Sequence, residues 1–204
     1  MGNYHPDKRV RRTKQHFKNV LFTLMEKKKF RDITISEIVR EANFNRGTFY
    51  AHYDKKEDLL DEMIEEVFQK ATEAYREPYL NQTIIDFNKV QPESIKFFDH
   101  FLENKSFYTV MLSENDYFRE RLIKHLEPLF RQDFDYTASI DDVKIDIHLF
   151  TTYRIYGAIG LLLEWMENDF EHTPLYMADQ LLRIYRSYTP KIHVKSLIRK
   201  GANF

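Results

Sequence analysis

Cysteine is absent from the 204-residue sequence, which excludes disulfides and thiolate chemistry and is compatible with a cytosolic home. Glycine and proline are scarce, at five and six residues, while Leu, Lys, Glu and Phe are plentiful, so an all-α chain is expected. No apolar run approaches the ~20 residues of a membrane span, and the N-terminus is charged rather than signal-like. A cytoplasmic protein with no membrane partner is expected. Signatures of catalysis are missing too: the sequence has no Gly-rich phosphate loop and no His-Glu-x-x-His. Glu164 and Glu167 stand three apart, and Asp141, Asp142, Asp146 and His148 crowd one region. Acidic groups in such runs are ordinarily solvated surface. No enzyme, catalytic residue, cofactor or metal is expected.

Net charge is nearly absent, at −1, but this conceals a polarity. Residues 1–56 hold 14 Lys and Arg against 6 Asp and Glu, whereas residues 57–204 hold 17 against 26. A basic end suits phosphate. Lys27, Lys28 and Lys29 read most simply as the solvated tip of the first helix. Lys8, Arg9, Arg11 and Arg12 precede the first apolar positions. They form either a flexible basic arm, following a DNA backbone or entering a minor groove, or an ordinary solvated helix start.

Residues 34–60 carry most of the functional information. Thr34 with Glu37 has the spacing of a capping box, so a helix should start at Ile35 and place Ile35, Ile38, Val39 and Ala42 on one face. Asn43 suits a left-handed stop, Phe44 a buried turn position, and Asn45 the cap of a second short helix through Arg46, Gly47, Thr48, Phe49, Tyr50 and Ala51. Asp54 with Glu57 has the spacing of another capping box, and starts a helix near Lys55 with Leu59, Leu60, Met63, Ile64, Val67 and Phe68 on its apolar face. Before them, a first helix over residues 8–28 presents Phe17, Val20, Leu21, Leu24 and Met25, which can cover the helix pair through Phe30 and Ile33. Two short helices joined by a tight turn on a third have the length of a helix-turn-helix.

The stretch Arg46-Gly47-Thr48-Phe49-Tyr50-Ala51-His52-Tyr53, in register with both capping signals, resembles the TetR family of transcription regulators over residues 9–65. Lys29 and Asn43 depart from its pattern, standing where glycines often end the first helix and make the turn. Lys28 to Thr34 also looks like a subgroup that includes activators related to the regulator of dihydroxyacetone use. The resemblance implies an N-terminal three-helix DNA-binding domain at residues 1–56, a connecting helix at 55–76, and a helical ligand-binding and dimerisation domain at 77–204. It implies base-edge contacts from Arg46 and Thr48, with Asn45 as cap and reader. Thr34, Tyr50, His52 and Lys56 would hold phosphates, and Gly47 would let the helix approach the backbone. Phe49 and Tyr53 would belong to the core. It further implies a ligand-responsive repressor binding a palindromic operator as a homodimer, in which an effector shifts the connecting helix and changes the spacing of the two recognition helices. The alternatives are an activator that needs a partner protein and a non-transcriptional architectural DNA-binding protein.

In the second domain, helices are expected over residues 92–103, 106–112, 116–130, 141–168 and 174–188, the last capped by Thr173, with a polar loop over 131–139 and no assignment for 77–90. Residues 145–166 hold too many apolar side chains for a helix with one wet side, so burial on most faces is expected. Gly157 and Gly160 each cost about 1 kcal/mol in a helix interior, which suggests close approach by another helix or by a ligand. The family places its dimer interface on the last two long helices, here with Gly157, Leu161, Leu181 and Tyr185; a monomer core is the other reading. Phe97, Phe101, Tyr108, Met111, Tyr153, Tyr156 and Trp165 are candidates to line a pocket for a small apolar or aromatic effector, as are Phe98 and Phe107. Ordinary core packing accounts for each equally well. His100, Arg154 and Glu164 are the polar candidates.

Overall fold

The computed structural model describes residues 6–114, 116–135, 145–188 and 191–194. They include nine α-helices, and the chain divides into two compact units, residues 1–67 and 68–204.

In the first unit, α1 (Pro6–Met25) precedes a 3-10 turn (Phe30–Asp32), α2 (Ile35–Glu41), α3 (Arg46–Tyr50) and the start of α4 (Lys56–Arg76). Lys8, Arg9, Arg11 and Arg12 do not form an arm: they lie exposed on the first turns of α1. Pro6 opens that helix with a φ already suited to it, and no glycine or further proline interrupts the remaining turns. The helix ends at Met25, with the amides of Lys27 and Lys28 both on the Leu24 carbonyl, and Lys29 is extended at φ −62°. No residue there enters the left-handed region, so no glycine is needed. Phe17, Leu21, Ile38, Phe49 and Leu59 are fully buried, and the Phe17 and Phe49 rings meet edge to face at 5.4 Å.

Lys18 is buried in this unit at 6% exposure, and its ammonium lies 2.7 Å from Glu62 and 2.6 Å from Glu66. Lys14 reaches Glu62 as well, at 2.7 Å. Burial pushes the Glu62 carboxyl up, but hydrogen bonds from Lys14 and Lys18 outweigh it and hold the group below its ordinary range. The lysines stand four apart on α1 and the glutamates four apart on α4, so the two helices meet through matched pairs.

The second unit begins within α4 and contains α5 (Phe97–Glu103), α6 (Lys105–Glu114), α7 (Asp116–Asp133), α8 (Ile147–Glu167) and α9 (Pro174–Tyr188). The helix expected over 92–103 is split: a 3-10 turn covers Pro92–Ser94, Ile95 is extended, and α5 starts afresh. Residues 77–90 form a 3-10 turn (Glu77–Tyr79) and a strand, β1 (Ile84–Asp86). Of the loop expected over 131–139, residues 131–133 belong to α7 and 134–135 form β2 (Phe134–Asp135); the remainder lies outside the described residues. A third strand, β3 (Lys191–Val194), pairs antiparallel between the other two, with Ile85 opposite Ile192 and Phe134 opposite Val194. Its period-two alternation buries Ile192 and Val194 and exposes Lys191 and His193. The fold is all-α apart from this small sheet.

Helix α8 starts at Ile147, with the Asp146 carboxylate accepting from the amides of His148 and Leu149; residues 141–144, expected in the same helix, are outside the described residues. In the single chain α8 is buried along one face. Leu149, Tyr153, Tyr156, Gly157, Gly160 and Leu161 are exposed, and nothing lies within 4 Å of a Cβ built on either glycine. Arg154, Ile155, Ile159, Leu162 and Met166 fill the inner face instead.

His100 is buried on α5, its Nε2 lying 3.1 Å from the Tyr108 hydroxyl. Burial, helped by the Lys70 ammonium, lowers its pKa from the ordinary 6.5 to about 4. A lowered folded pKa means the unfolded chain takes the proton first, so stability is full above pH 6.5 and declines toward pH 4. The decline should approach about 3 kcal/mol at most. Denaturant titrations of wild type and His100→Gln between pH 7 and 4 check this. A decline of equal size in the variant would assign the pH dependence to other groups.

Candidate nucleic-acid interface

The site is built from a tight turn and two short capped helices. Helix α2 ends in a Schellman motif: Asn43 takes φ 55°, its amide donates to the Arg40 carbonyl, and the Phe44 amide donates to Val39. Asparagine enters this region more readily than other non-glycine residues, so the turn forms without glycine. Phe44 is not a buried turn residue, as it is 38% exposed, with one side on the Phe17 ring at 5.2 Å.

The capping box at Thr34 is complete. The Glu37 amide donates to the Thr34 hydroxyl at 3.2 Å, and the Thr34 amide donates to the Glu37 carboxylate at 3.0 Å. Lys28 also donates to Glu37, at 2.6 Å. The Lys28 hydrogen bond, then the Thr34 amide, lowers the Glu37 carboxyl to a pKa of about 2, so this cap stays charged at any physiological pH. Helix α3 is capped by Asn45, whose Oδ1 accepts from the Thr48 amide at 2.8 Å and the Thr48 hydroxyl at 3.1 Å. A Cβ at Gly47 would sit 3.2 Å from that oxygen, so the glycine leaves room for the cap as well as for an approaching backbone.

These caps hold the outward residues of α3. Arg46 is exposed and its Nη2 donates to the Ser36 hydroxyl of α2 at 2.6 Å; Tyr50 is 54% exposed, and Thr48 and His52 are half-buried. Phe49 and Tyr53 are buried, their rings 5.6 Å apart, with the Lys14 ammonium 5.1 Å from the Tyr53 ring. Thr34, Asn45, Arg46, Gly47 and Tyr50 are thus exposed on the helix pair or its caps, and Thr48 is half-buried. Ser36 carries no motif that singles it out from the sequence.

Lys56 is placed otherwise. Its ammonium donates to the carbonyls of Phe30, Ile33 and Arg31, at 2.8, 2.6 and 3.2 Å, and lies 4.5 Å from the Phe30 ring. All three of its protons are engaged, so it holds the 3-10 turn rather than a phosphate. The second capping box also shifts: α4 starts at Lys56, and the Lys55 amide donates to Asp58 at 3.0 Å, instead of Asp54 pairing with Glu57. Lys56→Ala should therefore destabilise the first unit by about 1 to 3 kcal/mol while leaving the salt dependence of DNA binding unchanged. Denaturation and salt titration together measure both. A salt slope smaller by about one would restore a phosphate role.

In the second unit, a cavity of about 40 Å³ is lined by Tyr75, Phe87, Phe97, Phe98, Phe130, Arg154, Ile155, Ala158, Leu181, Tyr185 and Ile192, among others. Phe97 is the member of the seven-residue pocket set that reaches it. Phe101, Tyr108, Met111 and Trp165 are packed solid: the Phe101 and Tyr108 rings lie 4.5 Å apart, and the Trp165 indole donates to the His172 carbonyl. Tyr153 and Tyr156 point outward at 69% and 50% exposure, because Arg154, Ile155 and Ala158 take the inner face of α8. Leu181 and Tyr185, expected at a dimer interface, are half-buried and also line this cavity, with the Arg154 guanidinium 4.3 Å from the Tyr185 ring. Gly157 and Leu161 remain on the outer surface.

Residues 21–63 match the family model described as bacterial regulatory proteins, tetR family, and residues 88–187 match one described as a transcriptional regulator C-terminal region. The chain is 22% identical over 158 residues to an HTH-type transcriptional regulator of Bacillus subtilis, YxbF, covering 77% of this chain and 40% of that relative. It thus spans less than half of that protein's length. Among solved structures, a TetR transcriptional regulator from Streptococcus agalactiae is similar, with a TM-score of 0.59 and 24% identity over 87% of this chain and 96% of the other. The dihydroxyacetone kinase operon activator DhaS is similar with a TM-score of 0.56 and 16% identity over 86% and 94%. At these identities the structural likeness speaks for the fold.

Proposed function

We propose that this chain, which belongs to the TetR family of DNA-binding transcriptional regulators, is a repressor that binds a palindromic operator as a homodimer and is released by a small effector. Regulators of this family are DNA-binding proteins rather than enzymes. The observation that carries the reading is α3, capped by Asn45, with Arg46 at its first position and Tyr50 one turn on, both exposed on the protein surface. Arg46 and Thr48 read base edges, Asn45 supports them, and Thr34, Tyr50 and His52 face phosphates. The exposed stripe of Tyr153, Tyr156, Gly157 and Leu161 supports a two-fold pairing through α8, which would set two α3 helices on successive half-sites.

The aromatic cavity supports the effector site, but its about 40 Å³ is on the scale of one water molecule. A metabolite would enter only by displacing lining aromatics. Arg154 at the wall would orient a polar end of an otherwise apolar or aromatic compound. Among the described residues no helix is long and apolar enough to cross a membrane, and no group of His, Asp and Glu is placed to hold a metal ion.

Genome-wide occupancy of the tagged protein, read beside transcript levels in a deletion strain, tests the reading. One or a few palindromic sites whose neighbouring genes rise on deletion are expected. Genes that fall instead would support activation, the role that DhaS carries in its name. Many dispersed sites with unchanged transcripts would overturn regulation altogether.

A further inference from the structure

We infer that Ser36 is a specificity-determining positioning residue, holding the Arg46 guanidinium in the orientation that reads a base. The inference rests on the proposed reading of bases by Arg46. The Arg46 Nη2 donates to the Ser36 hydroxyl at 2.6 Å, across ten residues of sequence and from one helix of the pair to the other. Both ends of this bridge stand on fixed backbone. Ser36 is in the first turn of α2, which the Thr34–Glu37 box and the Lys28–Glu37 bond lock, and Arg46 opens α3, which Asn45 caps.

The chemistry of the two groups makes the bridge selective. A guanidinium has five N–H donors in a rigid plane, and recognition of a guanine edge uses two of them. Spending one on Ser36 leaves enough for the base while fixing the plane in which they lie. An unbridged arginine at a surface position would have to lose its rotamer freedom on binding, and it could settle as readily on a phosphate. Both residues are exposed, so the bridge does little for folding.

The test uses the full chain and duplex DNA that the wild type selects from a randomised library, with a scrambled duplex as control. Wild type, Ser36→Ala, Ser36→Thr, Arg46→Ala and the Ser36→Ala/Arg46→Ala double variant are compared. Ser36→Ala should weaken the selected duplex by about 3- to 10-fold and leave the scrambled one unchanged, as loss of one solvent-exposed hydrogen bond would. Ser36→Thr should restore the selected affinity, and Ser36→Ala should have no further effect once Arg46 is gone. Equal weakening of both duplexes, with or without Arg46, would make Ser36 a phosphate contact and overturn the inference. So would a Ser36→Ala protein that binds like wild type while Arg46→Ala loses tenfold. If the library yields no preferred sequence, or Arg46→Ala binds its selected site unchanged, the base-reading role of Arg46 fails, and the inference falls with it.

Discussion

On the proposed two-fold pairing through α8, Leu161→Glu is expected to yield a monomer in place of a dimer and to weaken operator binding by about 100-fold or more, while the monomer stays folded. Leu161 is 38% exposed on the outer face of α8, next to Gly157 and Gly160, with no other atoms within 4 Å of a Cβ built at either glycine. A carboxylate there meets water in the single chain and costs little. Buried in a two-fold interface it would face its own copy, two like charges removed from water together. Binding to a palindrome gains from two recognition helices acting as one ligand, so a monomer loses the second half-site and its effective concentration. Light scattering and operator titration of wild type and variant measure this. A wild-type monomer at micromolar concentration, or a variant that remains dimeric, would remove α8 from the interface.

The DNA-binding unit is legible in the sequence because its signals are local. Thr34 and Glu37 lie three apart, Asn43 and Asn45 bracket one turn, and each forms the cap or stop that its side chain favours. Lys56 defeats such a reading, because whether a lysine faces solvent or three carbonyls depends on the path of the 3-10 turn at Phe30–Asp32, which lies more than twenty residues away. Ser36 escapes for the same reason: its partner stands ten residues on, in another helix.

The second unit is less legible. Helix α9 occupies the residues expected for it, since Thr173 and Pro174 mark its start, and the Tyr176 amide does donate to Thr173. The strands leave no such mark, because segments of two to four residues give too little alternation to register as a period, and their pairing joins residues about 60 to 110 positions apart. Composition also misleads for α8. An apolar helix can be apolar all round because it is buried all round in one chain, or because one face is left for a second, and counting residues does not separate the two. The same limit places Tyr153 and Tyr156 on the surface rather than in the pocket.

Asp133→Ala is expected to reduce the stability of the second unit by about 3 kcal/mol, the lower end of what breaking a buried ion pair costs. Arg76 closes α4, and its Nε and Nη2 donate to the two carboxylate oxygens of Asp133, the last residue of α7, at 2.7 and 2.9 Å. Asp133 is completely buried, and this fork supplies a hydrogen bond to each of its two carboxylate oxygens. The loss stays at the lower end because the Arg76 side chain is 20% exposed and can turn partly to solvent once the acid is gone. Asp133→Asn, which keeps one acceptor and the shape, should lose less. The pair also bears on regulation, because α4 contributes residues to both compact units and Arg76 is its final residue. If an effector acts by shifting α4, removing the Asp133 fork from that end should leave basal operator affinity near wild type and blunt the effector's influence on it. Chemical denaturation measures the first expectation, and operator titration with and without an effector found by thermal shift measures the second. An Asp133→Ala protein as stable as wild type would show that the fork contributes nothing to the fold, and an undiminished effector response would show that the end of α4 does not carry the signal.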